Sequence, residues 1–362
     1  MTEIRVLIVD DSPMVRDILA DIFGSDPEIS VVGMAENGLQ AIDQTRSLKP
    51  DIVAMDINMP LMDGLETIER IMSSTPVPIL VITDIDHARI AFSALSKGAL
   101  DVYHKSFYSQ GMAAELIAKV KLLSKVKVIR HILPKGGEAS VSPPLFAQRK
   151  STLSLPHAAE RRGSREAFQV VAIASSTGGP RALAQIFSGM SEGFPVPIVV
   201  AQHMSGGFVG GLVEWLDSVT PVKVKFAADG ESLRENHIYF APAGMHMMVN
   251  ANGRLALVDV PPGDLFHPSC DLLLASVGEA FGAQSLGVIL TGMGDDGVEG
   301  LRSIRGRGGY TVAQDEQTSV VFGMPRVAID NGLIDKISPI GEIGGLLKQL
   351  VGRKAPEPQV TA

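Results

Sequence analysis

Residues 285–297, SLGVILTGMGDDG, carry an apolar strand pattern into the spacing G-x-G-x-x-G, at Gly292, Gly294 and Gly297. A strand, a glycine loop and then a helix with Val298, Leu301 and Ile304 on one face make one βα unit of a parallel sheet. Such a loop can cradle a dinucleotide pyrophosphate, and Asp315 stands 18 residues beyond Gly297, near where a ribose-binding acid belongs. Against that, Asp295 and Asp296 occupy the place of the phosphates and would repel them at the helix N-terminus. Asp295 reads instead as a helix cap, and Asp296 as an acid with work to do.

The units around this loop supply that work. QVVAIAS (169–175) and PIVVAQHM (197–204) read as strands, as do GYTVAQD (309–315) and GLIDKI (332–337). STGGPRALAQIF (176–187) turns into a helix with Pro180 in its first turn and Leu183, Ile186 and Phe187 as an apolar stripe. Ser176 follows one strand, His203 another and Asp296 a third, so one sheet rim can bring them together. A serine hydroxyl is a poor nucleophile until an imidazole takes its proton, and a carboxylate then orients that imidazole. The backbone N–H groups of STGG, at a helix N-terminus, suit an oxyanion, with Gly178 and Gly179 leaving room for substrate. The order Ser…His…Asp, without a G-x-S-x-G elbow, excludes an ordinary α/β-hydrolase. Spacing alone leaves a chance constellation open, because any domain of this size holds these residue types.

Residues 1–123 repeat the alternation with RVLIVD, ISVVGMA, DIVAMD, PILVIT and LDVYH as strands. A helix capped by Ser12 and begun by Pro13 carries Val15, Ile18, Leu19, Ile22 and Phe23 on one face and stops at Gly24. Five such units predict a doubly wound parallel sheet with its chemistry at the strand C-terminal ends. Those ends hold Asp10 and Asp11, then Asp56, Thr83 and Lys105. Three crowded carboxylates raise one another's pKa unless a cation compensates them, and oxygen clusters of this kind suit Mg²⁺. A lysine and a hydroxyl facing them can hold a phosphoryl group placed on one aspartate.

The fold class expected is therefore α/β with two doubly wound parallel-sheet domains, at 1–123 and 169–350, and 362 residues is a length for two. Between them, 124–168 is a Pro/Gly/Ser-rich linker with 9 basic and 3 acidic residues, and 351–362 is a tail. The flanking regions are acidic, with balances of −8 over 1–123 and −6 over 169–362, which disfavours phosphate backbones despite ERRGSR in the linker. The single cysteine, Cys270, excludes an internal disulfide and fits a reducing compartment. MTEIRVLIVDD lacks a signal-peptide pattern, and no apolar run reaches membrane-spanning length, so a cytoplasmic protein without membrane insertion is expected. His267 with Cys270 lacks a second ligand pair of zinc-like spacing and reads as a loop histidine near a buried cysteine. His237 and His246 read as ordinary loop or strand residues.

VDDSPMVR, MDINMPLMDG, Thr83 and Lys105 make residues 1–123 resemble a two-component receiver domain. The resemblance implies Asp56 as phosphoacceptor, Asp11, Asp56 and the Asn58 carbonyl as Mg²⁺ ligands with Asp10 close by, and Thr83 and Lys105 as signalling residues. STGGPRAL, AQHM, IYFAPAGMHM, VILTGMGDDG and AQDEQTSVVFGMPRVAI make residues 169–350 resemble the catalytic domain of the CheB-type chemotaxis methylesterases. That likeness implies Ser176 as nucleophile rather than Ser175, His203 as base, Asp296 as orienting acid, and Thr177 and Met293 lining the oxyanion site, with no cofactor in this domain. It further implies hydrolysis of glutamyl methyl esters on chemoreceptors with release of methanol, deamidation of receptor glutamines, and gating by a chemotaxis histidine kinase through a receiver that covers the active-site face. The chain departs from the families' usual residues at Val102, Ser106, Ala174-Ser175, Ser205-Gly206 and His267. Two rivals remain on the sequence: a receiver fused to a DNA-binding module, against which the acidic, strand-rich second half speaks, and an esterase-like scaffold with decayed catalysis.

Overall fold

The computed structural model describes residues 3–84, 88–105, 112–126, 128, 167–204, 207–261 and 267–352. Most of the expected linker, with ERRGSR, lies outside the described residues, as do Ser106, Ser205, Gly206 and residues 353–362. The chain forms two compact units.

In the first unit, strands β1 (Ile4–Val9), β2 (Ile29–Ala35), β3 (Ile52–Met55), β4 (Ile79–Thr83) and β5 (Asp101–His104) alternate with helices α1 (Pro13–Gly24), α2 (Gly38–Leu48), α3 (Gly64–Ser74), α4 (Ala88–Lys97) and α5 (Met112–Leu123). The sheet order is β2-β1-β3-β4-β5, and every pairing is parallel. Every residue of β3 and β4 is buried, the pattern of strands covered on both faces. Helices begin where a side chain satisfies the orphan amides: Ser12, Asn37 and Asp63 accept from Val15, Gln40 and Glu66. Of the five apolar residues expected on the inner face of α1, Leu19 and Phe23 are fully buried. Strand order reverses between β1 and β3, and the crevice there is where such sheets bind ligands.

In the second unit, β6 (Val170–Ser175) and β7 (Ile198–Gln202) join β8 (Lys223–Phe226), β9 (His237–Phe240), β12 (Ser285–Ile289), β13 (Tyr310–Gln314) and β14 (Lys336–Ser338). The order is β14-β13-β12-β6-β7-β9-β8, again wholly parallel. Helix α6 (Gly179–Ser188) follows β6 in the chain, and α7 (Val209–Val219), of which Gly210–Trp215 falls in the first unit, follows β7. Later come α8 (Cys270–Phe281), α9 (Val298–Gly306), α10 (Met324–Asp330) and α11 (Ile340–Val351). The reversal here falls between β6 and β12. Three features depart from the sequence expectation. First, β8 and β9 add two strands to the five read from the sequence. An antiparallel ribbon, β10 (Met245–Val249) with β11 (Leu255–Asp259), stands apart from the parallel sheet. GLIDKI is strand only from Lys336, because Gly332 turns the chain at φ 67° and Leu333 is buried in the turn.

The core below the switch point joins Ala172 and Ala174 of β6, Ile289 of β12, Leu273, Leu274 and Val277 of α8, and Leu301 and Ile304 of α9. Each fully buried leucine contributes about 2 kcal/mol. This packing fixes α8 and α9 against the sheet, and with them the two loops that carry acidic residues to its rim.

Candidate active site and phosphoacceptor pocket

Ser175 and Gln202 are register partners at the ends of β6 and β7, so Ser176 and His203 are the next residues on neighbouring parallel strands, which run about 5 Å apart. Gln202, which sequence reasoning passed over, ties these ends together. Its Nε2 donates to the carbonyls of Ser176 (2.8 Å) and His203 (2.9 Å), and its Oε1 accepts from Ser175 Oγ (2.7 Å). Ser175 is fully buried and bonded inward, whereas Ser176 is only half-buried, which separates the two adjacent serines.

Asp296 arrives from the β12 loop. Its Oδ2 lies 2.7 Å from His203 Nε2 and accepts from the Cys270 amide at 2.7 Å, while Oδ1 accepts from the Asp271 amide at 2.9 Å and from Ser269 Oγ at 3.3 Å. Burial pushes the Asp296 carboxyl up, but the hydrogen bonds from His203 and the Cys270 and Asp271 amides outweigh it and hold the acid below its usual range. Asp296 thus holds the imidazole of His203 through Nε2. Ser269 also caps α8 by accepting from Leu272.

The glycine loop 292–297 takes its shape from this site. A Cβ added at Gly292 would stand 2.7 Å from Ser176 Cβ and 2.2 Å from Met324 Sδ, so the glycine allows protein, not pyrophosphate, to approach. Asp315 uses its Oδ1 to hold the Thr318 amide and hydroxyl in its own turn. Asp295 is not the side-chain cap expected. Gly297 occupies the N-cap of α9, and Asp271 of α8 does the capping, its Oδ1 accepting from the amides of Gly297 (2.9 Å) and Gly300 (2.8 Å). Gly178 and Gly179 also have a different reason from substrate room: a Cβ at either would strike Val320 or Gln202. The Gly179 amide is taken by the Ser176 carbonyl at 2.8 Å, leaving fewer STGG donors for an oxyanion than expected. Among the described residues no acceptor meets the amides of Thr177 or Met293; Thr177 is buried and Met293 exposed.

Cys270 is fully buried, with Sγ 3.4 Å from His203 Nε2, and burial, then the Asp296 charge, pushes its thiol well up. His246, read as ordinary, is buried on β10 and accepts from the Ser269 amide through Nδ1 (2.9 Å), so it holds the loop that orients Asp296. His237 stacks on Tyr239 along β9. His267 lines a small cleft with Gln202, Met204, Pro242, Ala243 and Met245.

In the first unit, Asp10 and Asp56 come from β1 and β3, the strands that flank the order reversal. Lys105 Nζ bridges them, 2.7 Å from Asp10 Oδ2 and 2.6 Å from Asp56 Oδ2. Asp56 Oδ1 accepts from its neighbour Ile57 N (2.6 Å), and Asp10 Oδ1 from Ser12 N (2.9 Å). Burial raises the Asp10 pKa against the opposing pull of Lys105; for Lys105, burial is outweighed by Asp10 and Asp56, and its pKa rises. One carboxylate oxygen each of Asp10, Asp11 and Asp56 lies within 4.8 Å of the others, and the Thr83 hydroxyl is buried without a partner among the described residues. Three hard oxygen donors and an unsatisfied hydroxyl fit Mg²⁺ beside a phosphoryl group. Asn58 sits exposed just beyond β3. Both pockets thus occupy switch points, and no helix among the described residues is long and apolar enough to cross a membrane.

The response regulator receiver domain family matches residues 6–118, and the CheB methylesterase family matches 171–347. Protein-glutamate methylesterase/protein-glutamine glutaminase 3 of Paramagnetospirillum magneticum is 40% identical over 351 residues, 97% of each chain. The enzyme of the same name numbered 1 from Syntrophus aciditrophicus is 40% identical over 363 residues, 98% of this chain and 100% of its own. Among solved structures, the Thermotoga maritima CheB methylesterase catalytic domain is 39% identical, covers 51% of this chain and 99% of its own, and superposes with a TM-score of 0.49. With both family domains in order and likeness running the whole length of such relatives, the chain belongs to the CheB-type protein-glutamate methylesterase/protein-glutamine glutaminase family.

Proposed function

We propose that this protein is a phosphorylation-gated serine hydrolase that removes methyl groups from glutamyl methyl esters of chemoreceptors and deamidates receptor glutamines. Ser176 Oγ attacks the ester carbonyl while His203 Nδ1 takes its proton. The Thr177 and Met293 amides face the developing oxyanion. Return of the proton from His203 expels methanol, or ammonia from an amide, and water then hydrolyses the acyl-enzyme by the same route. Asp296 holds the imidazole in the Nε2–H tautomer and steadies the imidazolium. The observation that carries this reading is the 2.7 Å contact between His203 Nε2 and Asp296 Oδ2, one strand from Ser176 at the switch point.

Asp56 is the phosphoacceptor, with Asp10, Asp11, Asp56 and the Asn58 carbonyl holding Mg²⁺, which when bound neutralises charge around the phosphoryl group. Lys105 keeps the carboxylates together without the ion, and Thr83 offers its hydroxyl to the phosphoryl oxygens. The phosphodonor is a chemotaxis histidine kinase, and substrate, donor and enzyme share the cytoplasm. The decayed-scaffold alternative finds no support in relatives named for both activities. Methanol release from a methylated receptor cytoplasmic fragment, with and without a small-molecule phosphodonor, tests the reading. Release that is indifferent to Ser176→Ala would overturn it.

A further inference from the structure

Beside His203 and Asp296 lies a third metal-ligating group, Cys270, that serine hydrolysis does not use. Cys270 Sγ stands 3.4 Å from His203 Nε2, which itself stands 2.7 Å from Asp296 Oδ2, and these ligand atoms lie within 4.8 Å of one another. An imidazole nitrogen, a thiol and a carboxylate are the three ligand types that Zn²⁺ favours. With Zn–S of about 2.3 Å and Zn–N of about 2.0 Å at a tetrahedral angle, sulfur and nitrogen would be about 3.5 Å apart. The observed 3.4 Å already meets that edge. The nitrogen and carboxylate oxygen would have to part to about 3.3 Å, a displacement of roughly half an ångström. His203, with a side chain 12% accessible, is the member of the cluster most open to solvent.

We propose that His203, Cys270 and Asp296 form an inhibitory site for a zinc-class divalent cation. The Cys270 thiol loses its proton to solvent as the metal–sulfur bond forms. The His203 Nε2–H proton relocates through solvent to Nδ1, freeing the Nε2 lone pair for the metal. The neutral imidazole then carries its proton on Nδ1, the nitrogen that must accept one from Ser176, so hydrolysis stops. This consequence, though not the site itself, rests on the proposed esterase mechanism.

The test uses the full-length, chelator-treated protein in excess Mg²⁺, so that the aspartate pocket of the first unit is filled. Co²⁺ alone is titrated and followed by its thiolate-to-metal charge-transfer absorption. Cys270 is the only cysteine in the chain, so that band has one possible source. The expected result is a band saturating at one equivalent and absent from Cys270→Ser and Cys270→Ala. In parallel, Zn²⁺ should abolish methanol release reversibly on chelation. The half-inhibiting zinc concentration of each variant, set against its own metal-free rate, should rise at least about 10-fold. No band in folded wild type, or a band that survives Cys270→Ser, overturns the site. Equal zinc sensitivity in wild type and both variants overturns the inhibition. If metal-free wild type releases no methanol, the hydrolase reading falls, while the cobalt band still decides the site.

Discussion

Asp56 and Asp296 are both nearly fully buried, both follow a strand at the switch point of a parallel sheet, and both sit beside a basic group. Their environments nevertheless assign them opposite tasks. Asp296 is saturated: His203, two backbone amides and the Ser269 hydroxyl take up its oxygens, leaving none to attack anything. Asp56 keeps one amide and one lysine, with ligand oxygens of two further carboxylates, Asp10 and Asp11, within 4.8 Å. A carboxylate fully bonded by fixed donors suits an orienting role, while one held by a single amide and a lysine suits the proposed role of nucleophile.

The largest effect that would sharpen this contrast is Ser176→Ala, expected to lower methanol release by on the order of 10⁶-fold while leaving phosphorylation of Asp56 intact. A variant within 10-fold of wild type would return Ser175 to consideration. Next, Asp296→Asn should lower kcat by about 10⁴-fold, since an amide donor can no longer hold the Nε2–H tautomer. Loss confined to KM would deny the orienting role. Asp56→Asn should remove the phosphodonor-dependent rise in methanol release altogether, and a rise that persists would break the comparison on the other side.

The smallest effects concern stability, and their signs differ. Asp296, held below its usual range, contributes stability that is present in full above the unfolded carboxylate pKa and is lost as pH falls through the folded one. The stability gap between wild type and Asp296→Asn should therefore close in acid. Asp10, raised by burial, works the other way: its penalty is absent below the unfolded pKa and grows as pH rises through the folded one. Asp10→Asn should gain stability relative to wild type at neutral pH and nothing in acid. Urea unfolding of each unit across pH reads both, and matching slopes would refute the distinction.

Period and turn chemistry in the sequence sufficed for the five βα units of the first half, for β6, β7, β12 and β13 of the second, and for the cap at Ser12, the Pro180 helix start and the buried stripes of α6 and α9, because these depend on neighbours a few residues away. Ser176 and His203, one residue past β6 and β7, and Asp296, in the loop after β12, could be nominated as reactive types at one rim, but only family resemblance singled them out from a chance constellation. Tertiary structure alone decided the rest. Gln202 and Asp271 look like any strand-end glutamine and helix aspartate until register and packing set them against Ser176 and Gly297. The same holds for Gly292, whose reason is a serine 116 positions earlier in the chain. The β10–β11 ribbon escaped because its alternation does not say which sheet it joins, and Asp295 lost the cap because a donor pair is satisfied by whichever carboxylate packing brings nearest. Local propensity specifies elements; which distant side chain completes a hydrogen bond is settled by the three-dimensional packing of the core beneath it.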